Sequence, residues 1–273
     1  MAFKTMRLKE PGHQRLVFYV PDSISDYAIA MYSGFGRPPK TYERMGQLAA
    51  ESGRLAVISD WDDGRHFTES TMIDAVYYPI DWLRNEIGKS EPRNKFRCFF
   101  GIGHSFGGER LLKAALTDKE KRFAAVAVVQ PPERLGKYIR EHQALYTISK
   151  TPYARALAVP VTLASRPELH VFTLVDQANL IRMIDDDSSL FDAIKSAPEY
   201  RTPTQILCAS SDGHVDYKDA TEAAEMMKNN GAKTELVHLD EFYKRPTDKQ
   251  MEDVFGHISD FFDRISRDPE LAA

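Results

Sequence analysis

Cysteine is scarce: the 273 residues hold two, Cys98 and Cys208. Both sit inside apolar stretches that read as core strands, so buried free thiols are expected rather than a disulfide, and neither has a metal-ligand neighbour. Apolar runs long enough to span a bilayer are missing, and the first ten residues, Met1 to Glu10, contain no apolar signal core; a cytoplasmic protein without a membrane span is expected. An excess of charge is missing as well. Lys+Arg of 36 against Asp+Glu of 40 leaves a net charge of −4, which builds in no attraction to phosphate backbones or anionic lipid, and nucleic acid is not expected as a partner. The glycine cluster at 103–108 is not followed by Lys-Ser/Thr, so it is no phosphate-binding loop. Asp185-Asp186-Asp187 has neither histidine nor spaced carboxylate partners and reads as a helix end or solvated turn. No metal and no cofactor are expected, and there is no internal repeat, low-complexity tract or heptad register.

What is present is the composition of an ordinary globular protein, with 42% hydrophobic residues, enough for a chain of this length to bury a sizeable core. Apolar, β-branched runs bounded by turn residues predict strands at Leu16–Val20, Ala28–Tyr32, Leu55–Ser59, Phe96–Ile102, Phe123–Val129, Thr204–Ala209 and Thr234–Leu239. Helical patterns fall between them at Tyr42–Glu51, Ser70–Glu86, Glu109–Leu116, Asp219–Asn229 and Asp248–Ile265. The last carries Val254, Ile258, Phe261 and Phe262 on one face, which should lie against the sheet. Alternating strands and helices imply an α/β fold with a mostly parallel sheet flanked by helices. The alternation fails between Pro131 and Tyr200, so residues 1–130 and 201–273 are expected to form one core and 131–200 an inserted helical lid.

The chemistry points to one turn. Phe96–Ile102 runs directly into Gly103-His104-Ser105-Phe106-Gly107-Gly108, and a helical pattern follows. A sharp strand-to-helix turn lifts a serine hydroxyl above the sheet, glycines two before and two after it avoid a clash, and the helix start supplies amide hydrogens and positive dipole. Such a turn in this context reads as a nucleophile elbow.

Gly103-His104-Ser105-Phe106-Gly107-Gly108 resembles the elbow of α/β-hydrolases, especially the lysophospholipase and monoacylglycerol-lipase-like branch. Tyr32-Ser33-Gly34-Phe35-Gly36 follows the second predicted strand where these enzymes carry His-Gly-Phe-Gly or a relative. The resemblance implies an oxyanion hole built from the amides of Phe35 and Phe106, with Ser33 standing where the family has histidine. Ser210-Ser211-Asp212-Gly213-His214-Val215-Asp216 is similar to the family's strand-end Asp-x-x-Val, which makes Asp212 the triad acid, with Asp216 as rival. After the last strand the family's loop ends in the catalytic histidine. Here the loop is Asp240-Glu241-Phe242-Tyr243-Lys244, and without gaps Lys244 occupies that position.

Lysine can activate a serine only if its pKa falls by several units, and Asp212 beside it would push the other way. His214, His66 and His170 are the alternative bases, because triads are defined by geometry rather than chain order. His104 lies inside the elbow, His238 reads as a satisfied core histidine and His257 falls within the final helix. A substrate pocket is expected from Gly34, His104, Tyr153 and Phe242. Three functions fit: a serine hydrolase for an ester or thioester of a small to medium apolar molecule, a non-hydrolytic lyase, cyclase or acyl-transfer enzyme, and an inactive binding protein. The partner is a small-molecule substrate. Oligomeric state is open, a homodimer included.

Overall fold

In the computed structural model the described residues are 2–9, 14–23, 27–34, 39–60, 69–90, 96, 98–134, 188–210, 217–240 and 246–268. They build an eight-stranded sheet from β1 (Phe3–Leu8), β2 (Arg15–Pro21), β3 (Tyr27–Tyr32), β4 (Leu55–Asp60), β5 (Cys98–His104), β6 (Phe123–Val129), β7 (Thr204–Ala209) and β8 (Thr234–Leu239). Their order across the sheet is β1-β2-β4-β3-β5-β6-β7-β8. β2 pairs antiparallel with both β1 and β4, and every other pairing is parallel. The continuous apolar character of β3 follows from this arrangement: all six of its residues are buried, as are all six of β7, because both faces of a parallel sheet are covered by helices.

Among the described residues the helices are α1 (Glu43–Glu51), entered through a 3-10 turn at Pro39–Tyr42, α2 (Glu69–Ser90), α3 (Phe106–Thr117), α4 (Leu190–Lys195), α5 (Tyr217–Asn229) and α6 (Asp248–Arg267). One apolar layer joins α2, α3, α4 and α5 to one sheet face through residues such as Ile80, Leu111, Ile194 and Ala223. The other packs α1 and α6 against the opposite face, where Phe262 stacks on Phe100 with ring centroids 4.4 Å apart. α6 starts where its sequence dictates. Thr247 Oγ1 accepts from Gln250 N while Gln250 Oε1 accepts from Thr247 N, satisfying two amides that the helix itself cannot.

All seven predicted strands and all five predicted helices are present, with ends shifted by up to four residues. β1 was not expected. Its residues are mostly exposed and it lies at the sheet edge, so it carries no apolar pattern to read; Lys4 and Arg7 instead guard an open ladder.

The central helix is unusual in composition. Every residue of α3 from Phe106 to Leu116 is buried, Glu109, Arg110 and Lys113 included. Lys113 Nζ lies 2.6 Å from Glu109 Oε1 and donates to Ser188 O at 2.5 Å. The Arg110 guanidinium sits 5.0 Å from the centroid of the Phe106 ring. Neutralisation within the helix makes burial of these charges tolerable, at a desolvation cost that a plain apolar helix would avoid.

Candidate active site

β5 lies between β3 and β6 at the middle of the parallel sheet, with Tyr32 paired to Gly103 and His104 to Val129. Ser105 follows directly as the residue between strand and α3, with φ 51° and ψ −122°, a conformation that L-residues avoid. Two backbone bonds hold it there: Ser105 N donates to Val129 O at 2.8 Å, and Ser105 O accepts from Glu109 N at 3.0 Å. The flanking glycines are sterically required. A Cβ on Gly103 would come within 2.6 Å of Gly107 O and of Gly108 Cα, and a Cβ on Gly107 would fall on the carbonyl oxygens of Tyr32 and Ser33. Strain of about 1–3 kcal/mol at one serine, held by surrounding structure, is the kind that clusters at reactive sites. The first amides of a helix have no intrahelical acceptor, and Phe106 is the first residue of α3.

Beside the turn, Gly34 ends the described part of the segment after β3. Gly34 N donates to the Tyr42 hydroxyl at 2.9 Å, and that hydroxyl shares a 2.6 Å hydrogen bond with His104 Nδ1. Tyr42 and His104 are both buried. One phenol therefore joins the segment leading to Phe35 to the residue preceding Ser105. The engagement of Nδ1 accounts for His104 as a structural member of the turn. Beneath it lies a cavity of about 10 Å³ lined by Met31, Met45, Ile102, Met251, Tyr42 and His104, about the room one water needs and far too little for a substrate. Tyr42→Phe is expected to cost about 1–3 kcal/mol in urea unfolding, because it strands the buried Gly34 amide. Wild-type stability in that variant would mean that Gly34 has another acceptor.

Of the residues singled out in the sequence, Gly34, His104, Ser105 and Phe106 are brought together here. Phe35, His66, Tyr153, His170, Asp212, His214, Phe242 and Lys244 lie outside the described residues, as do 135–187 of the expected lid. The described chain stops at Gly34, Asp60, Ser210 and Asp240 at the carboxyl ends of β3, β4, β7 and β8, the same sheet edge as Ser105.

His238 corrects an expectation. It is exposed rather than in the core, and its Nδ1 shares a 2.7 Å hydrogen bond with the Tyr217 hydroxyl. The reason is that β8 is an edge strand, covered on fewer sides than its apolar residues suggest. His257 is exposed on α6. Cys208 is a buried free thiol, and burial raises its pKa, which disfavours the thiolate that a nucleophile needs. Cys98 opens β5, and its side chain lies outside the described residues. Tyr42 and Gln130 were not singled out in the sequence, because a tyrosine at a helix start and a glutamine before prolines carry no signal of what they touch.

Among the described residues no group of histidine, cysteine and carboxylate side chains could hold a metal, and no helix is long and apolar enough to cross a membrane. No protein-family model matches the chain, and no curated protein matches it. Solved structures do. A carboxylesterase of Nitrososphaera gargenis superimposes with a TM-score of 0.66 at 15% identity, covering 96% of this chain and 100% of that one. The Pyrococcus furiosus esterase Pf2001 gives 0.63 at 16% identity, over 96% of this chain and 92% of its own. Est1E from Butyrivibrio proteoclasticus gives 0.61 at 14% identity, over 96% and 98%. With its mostly parallel eight-stranded sheet between two helical layers, the chain has the α/β-hydrolase fold.

Proposed function

We propose that the protein is a serine hydrolase acting on an ester or thioester of a small to medium apolar molecule. The observation that carries the reading is the conformation of Ser105, a strained residue between the central parallel strand and a buried helix, with glycines where any side chain would collide. In this reading Ser105 Oγ attacks the acyl carbonyl, and the amides of Phe35 and Phe106 donate to the oxyanion. Tyr42 supports the first of these donors through Gly34. Asp212 follows Ser210 by two residues at the end of β7 and is the acid; Lys244 is the base in its Ser-Asp-Lys set, with His214, His66 and His170 as the alternatives. That several solved structures of this fold are esterases by name supports the reaction class, although function belongs to sites rather than folds.

We read 135–187, the part of the expected 131–200 lid that lies outside the described residues, as the lid; α4 near its end is packed into the sheet-flanking layer through Leu190 and Ile194 and belongs to the core. Leu190 N donates to Glu133 O at 2.8 Å and Ser189 Oγ donates to Glu133 Oε1 at 2.8 Å, so the chain returns to within hydrogen-bond reach of where it left, as an insertion must.

A fluorophosphonate probe tests the reaction. Labelling confined to a peptide containing Ser105 is the expected result, and an unlabelled folded protein beside an active control esterase would sink the hydrolase reading. Lys244 favours a second reading, because a carboxylate at Asp212 stabilises an ammonium better suited to holding an enolate or alkoxide than to activating serine. Ser105→Ala separates these two, since full turnover of the true substrate by the folded variant favours the second; Lys244→His asks instead whether the set is degraded, which a gain of esterase activity from near zero would indicate and loss of an existing activity would rule out.

A further inference from the structure

We propose that Gln130 is a positioning residue of this site, which fixes the end of β7, three residues before Asp212, against the nucleophile turn; the proposal rests on the hydrolase reading above. β6 stands between the two. Its last paired residue, Val129, accepts from Ser105 N at 2.8 Å on one side and is in register with Leu207 on the other. Gln130 N then donates to Leu207 O at 2.9 Å. Beyond this the backbone offers no donor at the next two residues, because Pro131 and Pro132 follow and neither has an N–H. The side chain supplies the donor instead: Gln130 Nε2 donates to Ala209 O at 2.9 Å, at the last residue of β7 and three residues before Asp212. Hydrogen bonds to the adjacent residues Val129 and Gln130 thus tie Ser105 on one side and the end of β7 on the other.

The residue is a poor choice for stability alone. Gln130 is fully buried with φ 51°, in the left-handed region where Gly or Asn would be easier. Its amide orientation is forced, since only the NH₂ group can face the Ala209 carbonyl. Oε1 is consequently buried with no hydrogen-bond partner among the described residues. Strain and a half-satisfied buried amide at the carboxyl edge, one strand from Ser105, fit a residue kept for where it holds β7.

The test is the saturable rate of fluorophosphonate labelling at Ser105 in wild type, Gln130→Met and Gln130→Asn, with thermal melting of each. Met keeps the length of the side chain without the donor; Asn suits the left-handed backbone but falls one methylene short of Ala209 O. Both are expected to lower the maximal labelling rate by about ten- to a hundredfold, as a displaced catalytic group does, while half-saturation by the probe stays unchanged. A folded variant with the wild-type maximal rate overturns the proposal. So does failure of both variants to fold, which would make Gln130 a stability residue. An unlabelled wild type overturns the hydrolase reading itself, and this assignment falls with it.

Discussion

Ser105→Ala is expected to lower ester hydrolysis by about 10⁴-fold or more while leaving the fold intact, because a catalytic set with its nucleophile removed retains only the contributions of binding and oxyanion donors. The stability expectation is as definite as the kinetic one. Alanine at φ 51° meets the same Cβ strain as serine, and both backbone bonds of residue 105 remain, so the melting temperature should stay close to that of wild type. Hydrolysis of a short-chain p-nitrophenyl ester, read beside the thermal melt, checks both. If the folded variant turned over its true substrate at the full rate, Ser105 would not be the nucleophile. The reading with an ammonium-stabilised oxyanion would then gain.

Gly107→Ala is expected to remove about 3 kcal/mol or more of stability, a large part of the 5–15 kcal/mol that domains typically have. Intrinsic preference points the other way, since alanine in a helix is favoured over glycine by about 1 kcal/mol. Contact decides between them. The new Cβ would fall on the carbonyl oxygens of Tyr32 and Ser33 at the end of β3, and these are rigid backbone. Relief would require α3 to rise off the sheet, which the bonds from Ser105 to Val129 and Glu109 oppose. The shift in urea midpoint and the soluble yield measure the outcome. A variant as stable as wild type would mean that α3 does not lie against β3 in the way its glycines indicate.

Much of this architecture is legible in the residue order. Strands buried on both faces tend to be continuous apolar runs, so β6 begins and ends where its run does. The elbow is legible for the same kind of reason, because a tight strand-to-helix turn excludes side chains at fixed spacings from the serine. β1 was missed since exposed edge residues have no reason to be apolar, and His238 was misread because an apolar neighbourhood in sequence does not say whether a strand is central or at an edge. Glu109 and Lys113 show the same limit. An i,i+4 pair of opposite charges reads as a solvated helix face, yet both are buried here because α3 is enclosed on all sides.

The sequence by itself determined the α/β class, the strands that carry the turns and the position of Ser105 between strand and helix, because these depend on local periodicity and on the steric demands of a few adjacent residues. Only the tertiary structure decided that Tyr42 joins Gly34 to His104, that Gln130 reaches the end of β7 and that charges lie beneath the elbow. Each of these joins groups that lie apart in the chain or depends on how neighbouring elements enclose a residue. Their geometry follows from strand order and helix placement, which no local pattern encodes.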